Sequence, residues 1–487
     1  MSATARHYAL FTLPRRLPEA DLPPLPRWRI TMNTPSGVKR MATDGLDTEA
    51  FPYEGRILRE PVAARRLRNN QWGEIDVQTL QFDVAISSDF VDFYLPADAP
   101  ETLRGYWIMA ERWDAARRLA VVEWSGVFNR GDLRPGVLSV EGTNVDQAVF
   151  TQPLPSTVIT TALHAGVIPD VGKSVPVILG NVPRVPLVYV REDVLANLYD
   201  YLVGHGTVTV SAAYRNGPNG TLYPIGFGEC LNASGLAATS WANASRTDLY
   251  SGYTALRFPV FQQDFQGGRH LLSADVLGLQ TERNFARAIQ TILTNTTWGL
   301  GKTVDVASFD TAAAALDAIP NLYCDGALTT PVQAQDVLAQ LLMVRGMRLG
   351  TRAGTTTWTI NVDTVQTETR LDLGDALDDG PRNMLVCEPR SAPSLAEAIS
   401  TVTLAYRPDL STGTSVHSVS RTLQAIGKPL SLRNDFIRVS ETADRVVDYL
   451  GKRELAAQTT ATATLAYESL SLSEGHLVRV TYAPYGF

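Results

Sequence analysis

The stretch from Gly172 to Val190, GKSVPVILGNVPRVPLVYV, constrains the fold more than any other part of the sequence. Short runs of β-branched residues alternate there with Pro176, Pro183 and Pro186. Proline has no backbone N–H to donate to a β-ladder, so it is tolerated at the edges and first residues of strands. The segment therefore predicts a compact corner made of short edge strands, and by itself it carries no catalytic chemistry.

Length and composition predict several β-rich domains. At 487 residues the chain is longer than one hydrophobic core usually supports, and roughly three or four domains are expected. Hydrophobic residues make up 45% of the chain, enough for sizeable cores, whereas charged residues make up 19%. The charged share is below the usual ~25%, which suits β-rich domains that bury large areas against neighbours. A net charge of −7 does not favour a general nucleic-acid-binding protein, which needs a basic face.

The cysteines and the chain's first residues indicate where the protein is made. The three cysteines lie far apart without CxxC spacing, which is typical of free thiols in a reducing cytoplasm. The N-terminus lacks a long apolar run, so no signal peptide is expected. No stretch approaches about 18 uninterrupted apolar residues, so no membrane span is expected either.

Changes in periodicity predict a multi-domain, β-rich α+β protein with four parts. The expected domains are a β-barrel-like domain (1–150), a β-rich domain with the proline-rich corner and a hairpin (151–270), an α+β insert (271–380) and a second β-barrel-like domain with one helix (381–487).

Alternating residues predict the strands of the first two domains. Gln81–Ser87 and Leu119–Phe128 alternate in the way that half-buried strands do. Gly206–Tyr214 and Thr221–Ile225 flank an NGPNG turn and predict a hairpin. In Asp193–Leu202 the spacing of the apolar residues instead predicts a short helix.

Helical spacing and end signals predict the elements of the last two domains. The expected helices are Phe285–Leu293, Ser308–Ile319 with Ser308 as cap, Thr330–Arg345 with Thr330 as cap, Pro331 at the first position and Gln333 in a capping box, and Glu441–Leu450 with Ser440 as cap. Gly346 and Gly451 are expected to end the last two helices. A hairpin is expected directly after Gly346, and two terminal strands are expected to join across Ser473–Gly475.

No motif indicates a catalytic, cofactor-binding or metal-binding site. Gly299–Thr303, GLGKT, is expected to be a turn, because a phosphate loop needs a glycine where Thr296 stands. The six histidines show no HxH or HxxxH spacing and there is no GxSxG. Acid pairs such as Asp378–Asp379 and Glu111/Asp114 are commonplace on turns and surfaces. The sequence therefore predicts a protein that is not an enzyme and holds no cofactor.

The pattern GKxVPVxxGxVxxVPL, from Gly172 to Leu187, resembles a segment of the central tail hub proteins of long-tailed, siphovirus-like phages, the baseplate-hub family. The C-terminal Leu472, Gly475 and Val478 are similar to that family's L-x-x-G-[DH]-x-V turn, with His476 where an acid is frequent. The resemblance implies a structural virion protein at the tail tip, made in the host cytoplasm. It implies a homotrimer in which each chain supplies two similar barrels.

The resemblance also implies a mechanism and a set of partners. Three chains with two barrels each would present six near-equivalent faces to a hexameric tail tube and close its channel until DNA ejection. The expected partners are the distal tail or tail tube protein, the tape measure protein, tail fibre or receptor-binding proteins and, at most transiently, passing DNA.

Two groups of residues are candidates for these roles. The expected structural core of the family segment consists of Val175, Val177, Val185, Leu187 and Val188. The expected inter-subunit or lumen contacts are Arg65, Arg66 and Arg68. The alternative from another class is a receptor-binding or carbohydrate-active tail-tip protein, in which exposed tryptophans would stack on sugars.

Overall fold

The computed structural model of the chain describes residues 27–34, 37–43, 54–67, 74–85, 105–114, 119–143, 149, 151–163, 168–217, 221–262, 271–279, 283–351, 357–362, 371–374, 384–390, 398–410, 415–456, 460–465 and 478–481. Among these residues, no helix is long and apolar enough to cross a membrane. The fold is β-rich with few helices, as the sequence predicts.

The N-terminal region forms a nearly closed, barrel-like sheet. Its strands are β1 (Arg27–Thr34), β2 (Gly37–Ala42), β3 (Glu54–Gly55), β4 (Ile57–Leu67), β5 (Glu74–Ala85), β6 (Trp107–Asp114), β7 (Leu119–Arg134) and β8 (Val137–Thr143). They are ordered β4-β5-β8-β7-β6-β1-β2-β3, so the two end strands are neighbours in the chain, separated by Arg56 alone. This connection holds the two edges of the sheet together. Trp124 and Phe82 are fully buried in the core that the sheet encloses.

The middle of the chain forms two further antiparallel sheets. Its elements are β9 (Pro153–Leu154), a 3₁₀ turn (Thr161–Leu163), β10 (Val177–Leu179), β11 (Asn181–Pro186), β12 (Val188–Asp193), β13 (Leu198–His205), β14 (Thr209–Asn216), β15 (Leu222–Ile225), a 3₁₀ turn (Phe227–Glu229), α1 (Trp241–Ala244), β16 (Tyr253–Phe258) and β17 (Leu271–Leu277). One sheet has the order β11-β17-β14-β15 and the other has the order β12-β13-β16. The expected hairpin is confirmed as β14 and β15.

The helix expected over Asp193–Leu202 is wrong, because these residues turn and enter strand β13. The Ala196 N–H donates to Asp193 Oδ1 at 2.9 Å, and Asn197 has a φ of 50°, so the chain reverses here. Residues 199–205 are all buried, which means that both faces of β13 are covered. A strand with two covered faces carries apolar residues at almost every position and therefore also matches a helical spacing.

Helices dominate the next region. Its elements are α2 (Phe285–Thr294), α3 (Val306–Asp317), β18 (Gly326–Leu328), β19 (Val332–Gln333), α4 (Ala334–Leu342), a 3₁₀ turn (Met343–Arg345), β20 (Arg348–Thr351) and β21 (Trp358–Asn361). The first expected helix is confirmed as α2, whose cap Asn284 accepts from the Ala286 and Arg287 N–H groups. The expected hairpin after Gly346 is confirmed as β20 and β21.

Two expected helix starts are wrong. In both cases a residue expected at the start of the helix bonds to a strand instead. Asp305 caps α3, while Ser308 accepts from the Ile360 N–H at 3.2 Å and so links the helix to β21. Val332 and Gln333 pair with β9, so α4 begins at Ala334 without the predicted capping box. Gly346, with a φ of 56°, ends this helical stretch as predicted.

The C-terminal region returns to strands around one long helix. Its elements are β22 (Leu371–Gly374), β23 (Met384–Arg390), β24 (Ile399–Pro408), β25 (Ser415–Thr422), β26 (Lys428–Asn434), α5 (Ser440–Ala456), β27 (Thr460–Leu465) and β28 (Val478–Thr481). Helix α5 passes through Gly451 to Ala456, so the predicted stop is wrong. A Cβ at position 451 would press against Leu423 and Arg421 at the end of β25, so the missing side chain allows close packing. Ser440 is the first residue of the helix, and its hydroxyl donates to Glu441.

The two terminal strands pair with different partners. Strand β27 is antiparallel to β23, and β28 is parallel to β22. The turn expected at residues 473–475 lies outside the described residues.

The largest hydrophobic core joins the last two expected domains. It contains buried residues of α2, α3 and α4 together with Val402 and Leu404 of β24 and Val446 of α5. In addition, β20 pairs in parallel with β5 of the barrel-like sheet. The four-domain division of the chain stays a prediction.

We expect Asp305→Ala to lower the free energy of unfolding by about 1 kcal/mol, because the Ala307 N–H at the start of α3 loses its acceptor. Asp305→Asn keeps an acceptor oxygen and is the matched control. Urea unfolding of the three proteins measures the difference. Equal losses in both variants would contradict the capping role.

Candidate functional site

The Gly172–Val190 segment supplies one edge strand to each of three sheets. Strand β10 pairs with β18, β11 pairs with β17, and β12 pairs with β13, each along one side in the described part of the chain. The predicted corner of short edge strands is therefore confirmed. We call this region the junction.

Pro183 of the junction lies where no ladder hydrogen bond is required. Pro183 falls in a β-bulge between Val182 and Val185, where Arg184 has a φ of 58° and its N–H donates to Asp275 Oδ1 at 2.9 Å. A bulge leaves one residue out of the pairing, so a missing N–H costs little there.

Side chains of the junction alternate between three separate hydrophobic cores. The helical core is built on α2, α3 and α4, the sheet core lies on β11, β13, β14, β16 and β17, and the side core lies beside β12 and β13. The helical core receives Val177 and Leu179; the sheet core receives Ile178, Val182, Val185, Leu187 and Tyr189; the side core receives Val175, Val188 and Val190. Successive residues of a strand point to opposite faces, so one thin segment forms the wall between cores.

The structure places all five predicted core residues of the segment in the interior. Their exposed fractions are 2% for Val175, 0% for Val177, 0% for Val185, 9% for Leu187 and 6% for Val188. They are divided among the three cores rather than gathered in one.

A buried carboxylate fixes the turn between β10 and β11. Asp325, 1% exposed, accepts from the Asn181 N–H at 2.8 Å and from Arg283 Nε at 2.8 Å. The hydrogen bond to Asp325 raises the pKa of Arg283. The guanidinium of Arg283 also lies 3.9 Å from the centre of the Tyr323 ring. The carboxylate therefore ties the junction to the start of α2. No sequence motif marks Asp325, because its partners are distant along the chain.

A second buried ion pair joins the strands of the β12-β13-β16 sheet. Asp200 is fully buried and accepts from Arg257 Nε at 2.7 Å, from Arg257 Nη2 at 2.8 Å and from the Tyr250 hydroxyl at 2.7 Å. Burial, and then the neighbouring carboxylate, raise the pKa of Tyr250. A two-pronged arginine–carboxylate pair is strong and directional, so this cluster aligns β13 with β16.

His205 is a buried, uncharged histidine at the end of β13. It is 1% exposed, its Nε2 lies 3.3 Å from Thr157 Oγ1, and its ring packs against Tyr253 and Trp298. Burial lowers the pKa of His205 to about 4. The backbone N–H of His205 donates to the Pro176 carbonyl at 2.9 Å, which connects this residue to the junction.

Neither a metal-ligand cluster nor a reactive form of Cys230 or Cys324 is found among the described residues. No group of three or more His, Cys, Asp or Glu side chains among them is arranged to hold a metal ion. Burial raises the pKa of the Cys230 thiol to about 12 and also raises that of Cys324, which keeps both thiols protonated and unreactive.

The GLGKT sequence, Gly299–Thr303, forms a turn, as its pattern predicts. The Leu300 N–H donates to Ile292 O at 2.9 Å, the Gly301 N–H donates to Asn295 O at 3.0 Å, and Lys302 N–H donates to the Leu293 carbonyl. These amides close the C-terminal end of α2 and so do not form an open cradle for a phosphate.

The remaining predicted residues are placed in part. Arg65 and Arg66 lie in β4, in register with Gln78 and Val77 of β5, on the barrel-like sheet. Arg68 lies outside the described residues, as do Asp378 and Asp379. The contacts expected of the three arginines stay predictions.

Most of the tryptophans among the described residues are buried. Trp28, Trp124, Trp298 and Trp358 are at most 8% exposed. Side chains at this depth pack in cores and do not offer a face to a sugar. Among the described tryptophans, Trp107 and Trp241 are partly exposed.

Comparison with known proteins gives remote structural similarities. No protein-family profile matches the chain, and no curated protein sequence matches it. A tail protein from Neisseria meningitidis MC58 is similar over 94% of this chain and 88% of its own, with 8% identity and a TM-score of 0.41. The 43 kDa tail protein of prophage MuSo2 from Shewanella oneidensis is similar over 94% of this chain and 90% of its own, with 10% identity and a TM-score of 0.39.

A chain in the virion of a native gene transfer agent particle is similar over 60% of this chain and 74% of its own, with 16% identity and a TM-score of 0.35. The solved structures similar to this chain thus include tail proteins and a virion component. These TM-scores are too low to establish a shared fold.

We expect Gly180→Ala to lower the free energy of unfolding by about 3 kcal/mol or more. Gly180 has a φ of 74°, and a Cβ there would overlap the Cys324 carbonyl and the Asp325 carboxylate. Gly235→Ala is the matched control, because Gly235 has the same φ of 74° but open space around it. The control should show the backbone strain alone, about 1–2 kcal/mol. Equal losses in chemical denaturation would contradict the close packing at the turn.

We expect His205→Gln to reduce the loss of stability on acidification. The folded-state pKa of about 4 lies below the ordinary histidine pKa of 6.5, so the unfolded chain binds the proton first. The stability that neutral His205 contributes is fully present above pH 6.5 and is lost as the pH falls towards 4. Between pH 7.5 and 5 this amounts to about 2 kcal/mol.

The measurement is denaturant unfolding of wild type and His205→Gln at both pH values. His417→Gln, at an exposed position, is the control and should follow wild type. A His205→Gln protein that loses as much stability as wild type would refute the assignment.

Proposed function

We propose that this chain is a structural virion protein, the trimeric hub at the distal end of a phage tail. The observation that carries the proposal is the junction. The residues of the segment that resembles the hub family are the ones that separate and join the three hydrophobic cores. A motif whose aliphatic side chains are buried in hydrophobic cores favours a structural role over a catalytic one.

The N-terminal sheet supports the barrel that this role requires. Its eight strands bring β3 and β4 to within one residue of each other, so the sheet nearly closes. In the proposal this sheet is the first hub barrel. In the proposal the second barrel is formed within residues 381–487, where β23 to β28 lie.

Such a hub works by matching symmetries. Three chains with two barrels each present six similar faces, which complement a hexameric tail tube above and a three-fold tip below. The closed ring blocks the channel until the tape measure protein and DNA pass through. Obligate interfaces of this kind bury roughly 2,000 Å² or more, so no single contact dominates.

The proposed partners follow from this position. The barrels face the distal tail or tail tube protein, the lumen meets the tape measure protein, and the outer surface meets fibre or receptor-binding proteins. Arg65, Arg66 and Arg68 are proposed to line an inter-subunit face or the lumen, where passing DNA touches them transiently. Val175, Val177, Val185, Leu187 and Val188 are proposed to hold the segment in the form that assembly needs.

The alternative is a receptor-binding or carbohydrate-active protein of the tail tip. It requires exposed aromatic side chains or two carboxylates that flank a cleft. The burial of four tryptophans weighs against it. Binding or hydrolysis of a host glycan by the purified chain would favour it over the hub.

The test is a cryo-EM map of the tail tip of intact particles with this chain carrying an antibody label. We expect three copies in a ring below the hexameric tube. Label on peripheral fibres would favour receptor binding, and absence from the particle would overturn the proposal.

The double substitution Val177→Asp with Leu187→Asp should abolish incorporation of the chain into particles, because it places charges in two of the cores. Val306→Asp is the control, since Val306 is 54% exposed in the first turn of α3, where an acid is favourable. Immunoblots of purified particles measure incorporation. Infectious particles that contain the double variant at the wild-type level would refute the role of the junction.

A further inference from the structure

Arg438, in the short connection between β26 and α5, carries a largely buried guanidinium group. Its Nε and Nη2 atoms are shielded from solvent and have no hydrogen-bond partner among the described residues. Its Nη1 atom is not one of the shielded atoms, and the residue is partly exposed. Guanidinium nitrogens only donate hydrogen bonds, and a buried donor without an acceptor costs free energy. The shielded nitrogens of Arg438 therefore need an acceptor that the described residues do not supply.

Two carboxylates near Arg438 are already paired with other arginines. Asp325 accepts from Arg283 Nε at 2.8 Å and from Arg283 Nη2 at 2.5 Å. Asp435 accepts from Arg433 Nε at 2.6 Å. Both carboxylates attract the charge of Arg438, but neither accepts a hydrogen bond from its shielded nitrogens. The charge of each acid is largely balanced by its own arginine, so the charge of Arg438 is not balanced by them.

A second arginine adds positive charge close to Arg438. The Arg407 N–H donates to Ile437 O at 2.8 Å, which places the end of β24 beside the residue that precedes Arg438. Arg407 is exposed, and its Nη1 lies 3.4 Å from His417 Nε2. This guanidinium therefore contacts an imidazole there and not a carboxylate. Two neighbouring arginines of this kind favour the binding of an anion.

The electrostatics of Arg438 agree with this geometry. Burial is the main cause of a pKa of about 10 for Arg438, below the ordinary arginine value of 12.5. Asp325 opposes this decrease, whereas the charge of Arg407 adds to it. At neutral pH the side chain is still protonated, so it is a charge held away from water without a hydrogen-bonded partner. A water molecule could accept a hydrogen bond from it, but only an anion also balances the charge.

We propose that Arg438 binds a small carboxylate, with Arg407 as a second positive charge beside it. The planar guanidinium presents pairs of N–H groups that match the two oxygens of a carboxylate. The edge formed by Nη1 and Nη2 includes the nitrogen that is not shielded, so the carboxylate approaches there. The carboxylate is either a free ion or an acidic side chain of a neighbouring protein, and the chemistry of the site is the same for both. This inference does not depend on the proposed function.

Thermal unfolding of the purified chain in sodium acetate and in sodium chloride, at equal ionic strength and neutral pH, tests the site. We expect acetate to raise the unfolding midpoint of wild type in a saturable way, by about 2 °C at ten times the dissociation constant. Arg438→Met should lose this rise. Arg130→Met is the matched control, because Arg130 is an exposed arginine, paired with Asp132 at 3.1 Å on the barrel-like sheet. It should keep the rise.

Two outcomes of this measurement would overturn the proposal. One is a wild-type midpoint that acetate does not raise relative to chloride. The other is an equal rise in wild type and Arg438→Met, since the anion would then act elsewhere on the chain.

The behaviour of the variants in chloride tests whether Arg438 lacks a partner within the chain. Arg438→Met should unfold at or above the wild-type midpoint, because an apolar side chain of similar length replaces a buried and unpaired charge. A large fall of the midpoint would show that Arg438 already has a partner and would overturn the proposal. Arg438→Lys keeps the charge without the planar fork and should bind acetate about 10-fold more weakly, as expected from losing one charged hydrogen bond. Wild-type affinity in this variant would refute the two-pronged contact.

Incorporation into particles distinguishes the two sources of the carboxylate. If a neighbouring protein supplies it, Arg438→Met should reduce the amount of the chain on immunoblots of purified particles, and Arg130→Met should not. Normal incorporation of Arg438→Met, together with its lost response to acetate, would assign the site to a free ion. A chain that binds acetate through Arg438 but is absent from particles would support the site and refute the hub.

Discussion

The alternation of one short segment between three hydrophobic cores is the constraint on which the rest of the structure depends. Val177 and Leu179 face the helical core, while Ile178 between them faces the sheet core. Each buried aliphatic side chain contributes roughly 1.5–3 kcal/mol, so the wall is stabilised from both sides. A shift of the register by one residue would send every side chain of β10 to the wrong core, which leaves the segment a single arrangement.

Buried carboxylates set the geometry that hydrophobic packing leaves open. Asp325 joins the β10–β11 turn to Arg283 beside α2, and Asp200 joins β13 to Arg257 on β16. Removing one partner of such a pair would leave a buried charge without compensation, which costs several kcal/mol. Gly180 is part of the same arrangement, because the carboxylate of Asp325 occupies the space where a Cβ would lie. The corner is therefore specified by polar contacts as well as by apolar area.

Local patterns predict the elements whose partners are local. Helix α2 and the β14–β15 hairpin carry their own stripes, caps and turn residues, and the sequence is sufficient to place them. The predictions fail where a residue pairs with, or bonds to, a strand that is distant in the sequence. Val332 pairs with β9 instead of opening α4, and Ser308 bonds to Ile360 instead of capping α3. The carboxylate of Asp325 could not be predicted at all, since its partners Asn181 and Arg283 are remote in sequence.

The same reasoning bears on where the proposed hub would make its contacts. The junction uses its side chains for packing, and the buried thiols of Cys230 and Cys324 are held protonated by their surroundings. The large hydrophobic side chains exposed beside the junction lie just outside its two ends, with Val171 before it and Val194 and Leu195 after it. Between these ends the strands are packed on both sides by the cores that they separate. In the proposed ring, a subunit contact beside the junction would therefore act on strands whose positions the cores already hold.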